Sequence, residues 1–255
     1  MAELRKPTLN RETDLLKLLA IILMTVDHAG AALCGNAPLM RSIGRLAFPI
    51  FCYTLAVGCG YTRSMGKHAL RLLIAALVSQ PFYTMALHSS DTLAETFASW
   101  GGFGFFRWYA FTFNKCNIMV ELLMGVLLIW TLKEKRFVLS ALVAAAVIVL
   151  DRQGWLSSSY GVDGIFLIAI FWVFRDRPAA CLAWAALYMI QWGTRSGSSY
   201  TFLGLHYGRQ MYAVLALPLI AIPIEKRHVK LPKWLFYAYY PAHLMVIAIL
   251  RELIL

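Results

Sequence analysis

Nine stretches of the chain are apolar over much of a bilayer's thickness, with short polar joints between them, near residues 15–33, 43–61, 69–88, 117–132, 137–150, 160–174, 179–192, 209–224 and 233–250. A helix rises about 1.5 Å per residue, so crossing a hydrocarbon core about 30 Å thick takes about 20 residues. Several runs are shorter than that, and two of them are either re-entrant or merge with a neighbour. The pattern predicts an all-α fold: a polytopic transmembrane helix bundle of about nine spans, forming one integral-membrane domain over residues 1–255.

Loop charge tests that count. With the N-terminus taken as cytoplasmic, the inner segments hold sixteen of the Lys and Arg residues and the outer segments eight. This is the bias expected when cytoplasmic loops are positive, and an odd number of spans then puts the C-terminus outside. The polar stretch from Met1 to Asp14 is read as leading into an uncleaved first span rather than as part of a signal peptide. The longest connection, residues 89–116, falls outside and carries Phe103, Phe105, Phe106, Trp108, Tyr109, Phe111 and Phe113. So aromatic a loop belongs in the membrane interface, either as a belt at headgroup depth or as a lid over an acceptor site.

Composition agrees. The chain is 60% hydrophobic and 15% charged, against about 45–50% and about 25% for an ordinary soluble domain. Its formal charge of +11 does not mark a nucleic-acid binder, because the basic residues sit in clusters between apolar runs rather than along one polar face. Cys34, Cys52, Cys59, Cys116 and Cys181 show no CxxC or Cys/His spacing, so neither a metal site nor a disulfide framework is expected, and they read as small hydrophobes. No internal repeat is visible, which removes one cue for a transporter.

A charge near the centre of a spanning helix costs about 2.5–3.5 kcal/mol on insertion scales, so each one needs a partner, a wet cavity or a function. Asp27 and His28 lie late in the first run. They diverge by about 100° around the helix, so each needs a partner from elsewhere. In the second run Pro49 cannot donate to the carbonyl of Arg45, which leaves a free acceptor in a possible cavity wall. Arg41 and Arg45 either face that cavity or snorkel to the outer interface. Asn117 and Glu121 share one face of the fourth run, where Arg45 or His28 is the nearest partner for Glu121 by depth. Asp163 opens the sixth run and either joins the cavity or satisfies a helix N-terminus. In the ninth run Tyr239 and Tyr240 precede His243, and Pro241 permits a kink that turns the imidazole inward beside a hydroxyl. By depth, Asp27, His28, Arg45, Asn117, Glu121 and Asp163 all fall in the outer half, with His243 nearer the midplane. One polar cavity opening outward would account for them.

The motifs Leu15-Leu-Lys-Leu-Leu-Ala-Ile-Ile-Leu-Met-Thr-Val-Asp-His-Ala-Gly30, Gly44-Arg-Leu-Ala-Phe-Pro-Ile-Phe51 and Arg71-Leu-Leu-Ile-Ala-Ala-Leu-Val-Ser-Gln-Pro-Phe82 resemble the TraX family. Asn117-Ile-Met119, Tyr160-Gly-Val-Asp-Gly164 and Tyr239-Tyr-Pro-Ala-His-Leu244 continue the likeness over most of the chain, residues 89–116 excepted. The resemblance implies a multi-pass protein of the bacterial inner membrane that N-acetylates pilin with acetyl-CoA as donor. It also implies kinship with membrane acyltransferases that O-acetylate surface sugars.

The residues suit that chemistry. Acetyl transfer to an amine needs a base for the proton and donors for the developing oxyanion. His28 is the expected base, with Asp27 or Glu121 fixing its tautomer and His243 as partner base or orienter. Arg45 and Asn117 are expected to bind the thioester oxygen, with Asp163 and Tyr240 also lining the substrate site. Donor phosphates from the cytoplasm would meet Arg63, Lys67, Lys133, Arg136, Lys226 and Arg227, although topology alone also demands positive inner loops. The lipid bilayer, acetyl-CoA and pilin or another envelope acceptor are the expected partners, with no nucleic acid and no metal. A proton-coupled transporter would also carry Asp, Glu and His inside its spans, and a non-enzymatic assembly partner is a third class.

Overall fold

The computed structural model describes residues 9, 13–154, 159–197, 199–202, 204–222 and 231–254, and they are overwhelmingly helical. The first four helices are α1 (Asp14–Ala32), α2 (Pro38–Gly44), α3 (Ala47–Tyr61) and α4 (Met65–Leu87). Two short helices follow, α5 (Leu93–Ala98) and α6 (Gly104–Thr112), then α7 (Ile118–Lys133), α8 (Phe137–Arg152), α9 (Gly161–Val173) and α10 (Pro178–Arg195). A small antiparallel hairpin, β1 (Tyr200–Phe202) with β2 (Leu205–Tyr207), leads through a 3-10 helix at Arg209–Leu215 into α11 (Ala216–Ala221), and α12 (Lys233–Ile254) follows.

The apolar runs coincide with these helices, with informative departures. The second run divides into α2 and α3 at Arg45 and Leu46, where Pro49 withholds the N–H that Arg45 would otherwise receive. The eighth run becomes a 3-10 turn followed by a short α-helix. Residues 89–116 hold two helices, and the first is closed by a capping box in which Thr92 and Glu95 bond each other's backbone N–H. That bonding holds the exposed Glu95 carboxyl below the ordinary carboxylate range.

Among the described residues three helical segments are long and apolar enough to cross a membrane: α1, α2 and α3 taken together, and α4, at 19, 24 and 23 residues. The outer surface agrees. Leu70, Leu73, Ile74, Leu77 and Val78 are exposed along one stripe of α4, and Met245, Val246, Ile249, Leu250 and Leu253 along one stripe of α12. Contiguous apolar stripes at helical spacing are costly in water and suited to acyl chains. The chain has the surface of a membrane protein.

The interior is ordinary close-packed hydrophobe, with Phe48, Ile50, Ile129, Ile168, Phe171 and Leu244 at its centre. Helix α12 packs on α4 and α1, α1 packs on α2 and α3, and α7 and α9 close the far side against α3. The α1–α2 contact is close because Gly44 lies against Asp27, so that a Cβ there would overlap the carboxylate side chain. Gly44→Val is expected to destabilise the fold by about 1–3 kcal/mol through overpacking, read as a lower unfolding temperature in detergent.

Candidate active site

Thr25 and His28 lie one turn apart on α1, and Tyr239 and His243 lie one turn apart on α12. Two hydrogen bonds join the pairs: Thr25 Oγ1 to Tyr239 Oη at 2.7 Å and His28 Nδ1 to His243 Nε2 at 2.8 Å. Thr25 gives its own proton to the Ile21 carbonyl, so Tyr239 is the donor in the first bond. The second bond has a direction too. His243 Nδ1 lies 3.0 Å from the backbone carbonyl of Tyr239, which only accepts, so that nitrogen carries a proton. In a neutral ring Nε2 of His243 is then the acceptor and His28 Nδ1 the donor, which leaves His28 Nε2 with a free lone pair. The Tyr239 and His243 rings stack at 5.1 Å, which fixes the plane of the second imidazole. A general base held in one tautomer by a second group is the arrangement that nucleophile activation uses.

The partner that orients His28 is therefore His243, the role the sequence reading offers it as one alternative, rather than Asp27 or Glu121, the carboxylates expected to fix the tautomer. Asp27 is occupied by the next helix: Arg41 Nη1 donates to Oδ2 at 2.7 Å and Arg45 lies 3.6 Å from Oδ1. The two arginines sit at i and i+4, so one face of the α2 segment meets one carboxylate. Arg45 also lies over the Tyr160 ring, 5.5 Å from its centroid, and that ring stacks on Phe48 at 3.8 Å.

Glu121 and Asn117 have structural duties. Glu121 is fully buried, and its Oε1 accepts the backbone N–H groups of Tyr160 and Gly161 at 2.8 and 2.9 Å, which ties the start of α9 to α7. Depth along the helix could not foretell this, because the donors come from a loop. Asn117 caps α7 by accepting from Met119 N, and its amide donates to Ala76 O and Gln80 Oε1. Both donor protons are used, which leaves none for a thioester oxygen. Asp163 accepts from Tyr188 and Arg195, each at 2.8 Å, joining α9 to α10. It lines neither of the cavities described next, so the shared outer chamber expected from depth does not take it in.

Among the described residues two cavities adjoin inside the bundle. The smaller, about 130 Å³, is lined by Asp27, His28, Arg41, Arg45, Tyr160 and His88 among others. The larger, about 670 Å³, opens at the other end of α1 and is lined by Lys17, Arg63, Lys67, His68, Arg71 and Phe236 among others. Met24, Phe51, Ile118 and Tyr240 line both and form the neck between them.

The family model described as TraX protein matches residues 12–251. The chain belongs to the TraX family. Among curated proteins it is 34% identical over 73 residues to a probable fimbrial assembly protein FimC, serogroup H1, of Dichelobacter nodosus, which is 27% of this chain and 30% of that protein. It is 40% identical over 72 residues to an uncharacterised protein of Rickettsia prowazekii (strain Madrid E), which is 28% of this chain and 27% of that one. The matched stretches thus span under a third of either relative. No solved structure matches the chain.

Of the basic residues expected to hold donor phosphates in this TraX family member, Arg63 and Lys67 line the larger cavity. Lys133 instead caps the end of α3, donating to the carbonyls of Cys59 and Thr62. Arg136 forms a surface pair with Glu134, and Lys226 and Arg227 lie outside the described residues. Lys17, His68 and Arg71 also line the larger cavity, with Lys17 paired to the lining carboxylate of Asp14 at 3.0 Å, and were not singled out by sequence reasoning. The signal for two of them was spacing: Lys67, His68 and Arg71 share a face at the start of α4, just after the cap Ser64. Arg41 was left as open as Arg45 between cavity and interface but was not named a site residue, and its i, i+4 relation to Arg45 was the available sign.

Proposed function

We propose that this protein is an acetyltransferase of the bacterial inner membrane that moves an acetyl group from acetyl-CoA to the N-terminal amine of pilin. Its apolar runs supply about nine spans, with the N-terminus in the cytoplasm. The observation that carries the reading is the pair of cavities meeting at a neck beside an imidazole held in its basic tautomer. Family membership and the fimbrial assembly relative agree with pilin as the acceptor.

In this reading the larger cavity faces the cytoplasm and takes the nucleotide end of the donor. Lys17, Arg63, Lys67 and Arg71 supply the charge-assisted hydrogen bonds that phosphates need, and the pantetheine arm reaches through the neck. The smaller cavity holds the acetyl group and the incoming amine. His28 Nε2 removes the amine's proton as its nitrogen attacks the thioester carbon, and the same proton goes to the departing sulfur. The volume of about 130 Å³ suits a two-carbon acyl group and leaves little space for a longer one.

The test is detergent-purified protein with labelled acetyl-CoA and a peptide bearing the free pilin N-terminus. Acetylated peptide and free thiol should form in equal amounts, and a peptide with a blocked N-terminus should give neither. Currents or solute uptake in proteoliposomes without acetyl transfer would favour a transporter instead. Pairing Lys67→Ala with Arg71→Ala is expected to raise the KM for acetyl-CoA by about tenfold or more, since hydrogen bonds to charged groups contribute about 1.5–3 kcal/mol each. The change in kcat should be smaller, and added salt should weaken donor binding less in the double variant than in the parent.

A further inference from the structure

Tyr240 is 1% exposed and lines both cavities, so its phenol stands at the neck. Its ring centroid lies 5.4 Å from that of His243 and 6.4 Å from that of His28. Buried tyrosines ordinarily give their proton to a neighbour, yet this hydroxyl has no acceptor among the described residues. The start of α7 is beside it. There Met119 N is capped by the Asn117 side chain and Val120 N bonds the Asn117 carbonyl, while the Ile118 N–H faces the phenol oxygen. Ile118 lines the same neck. An amide at the first position of a helix has no partner within that helix and carries the positive end of its dipole.

We propose that Tyr240 is the oxyanion donor of the acetyl transfer, its hydroxyl proton aimed at the thioester carbonyl oxygen at the neck and its oxygen polarised by the Ile118 amide. This rests on the acetyltransferase reading and replaces Asn117, whose amide protons are already used. The amine nitrogen forms a bond to the carbonyl carbon, and the π pair moves onto oxygen, where the Tyr240 O–H stabilises it. When the pair returns, the carbon–sulfur bond breaks with its electrons on sulfur. His28 hands sulfur the proton taken from the amine, so the products are an amide and a free thiol. Tyr240 keeps its own proton throughout. A preorganised donor aimed at developing charge in a site without bulk water contributes more to rate than to substrate binding.

The test is Tyr240→Phe in the purified full chain, assayed with acetyl-CoA and the pilin peptide. kcat is expected to fall by about 10²–10³-fold, the loss typical of one oxyanion donor, with the KM for acetyl-CoA and the detergent unfolding temperature near the parent's. Fluorotyrosine at the same position should restore turnover, with kcat varying with phenol acidity, and it decides the matter should the phenylalanine variant unfold. Unchanged kcat in Tyr240→Phe, a rise in KM alone, or indifference to phenol acidity would overturn the proposal and leave the acetyltransferase standing. A parent protein without acetyl transfer would remove both.

Discussion

Alanine at His28 is expected to lower acetyl transfer by about 10²–10⁴-fold, the range general bases contribute, while donor binding persists. The reasoning starts from the proton order along α12 and α1. The Tyr239 carbonyl fixes the proton on His243 Nδ1, His243 Nε2 accepts the hydrogen bond of His28 Nδ1, and of the two unprotonated nitrogens only His28 Nε2 lies outside that bond. His243→Ala should therefore give a smaller loss, because the base survives but its tautomer is free to change. The double variant should be no worse than His28→Ala alone, since groups acting as a unit are not additive. Rates measured against pH supply the check: the parent rises as the imidazole loses its proton, and His28→Ala should lack that rise. A variant with parental turnover and the same pH profile would remove His28 from the reaction.

The second large effect is on stability. Asn117→Ala should lower the unfolding free energy by about 2–3 kcal/mol, because it strands buried groups that lose their partner. The amide nitrogen serves Ala76 O and Gln80 Oε1, and the oxygen serves Met119 N. Gln80 in turn donates to the carbonyls of Thr112 and Lys115 and accepts from Asn117 N, so one side chain closes α4, the end of α6 and the start of α7 together. Detergent melting should show the loss, and Gln80→Ala should show a similar one. The double variant should fall short of the sum because the two share bonds. Full stability in Asn117→Ala would mean that water replaces the network.

Much of this architecture is visible in hydrophobic period alone, because a bilayer forces each spanning backbone to satisfy itself within one helix. That constraint makes the ends of α1, α4, α7 and α9 fall close to the apolar runs. Irregular segments lack it. Helix α5 lies in the connection read as an aromatic loop, although the Thr92-x-x-Glu95 spacing of its capping box stands in the sequence. The hairpin at Tyr200–Tyr207 was not, since its strands of three residues fall below any readable alternation. At the site, depth grouped Asp27, His28, Arg45, Asn117, Glu121 and Asp163 in the outer half, with His243 nearer the midplane, but of the six only Asp27, His28 and Arg45 line the smaller cavity, and depth could not pair them. Pairing depends on rotation about each helix axis and on loop backbone. Both histidines were individually conspicuous, yet only the register between α1 and α12 brings Nδ1 to Nε2. The loop amides of Tyr160 and Gly161 claim Glu121, and no spacing rule along α7 encodes that.

The link from Asp27 to Arg41, fourteen residues downstream, bears on how the chain enters the bilayer. A lone α1 would present an uncompensated carboxylate to lipid, whereas α1 and α2 delivered together carry opposite charges already in contact. In the spanning arrangement proposed above, α1 and the segment formed by α2 with α3 are suited to enter as a helical hairpin, and membrane integration of the first should fall when Arg41 and Arg45 are both replaced by neutral residues.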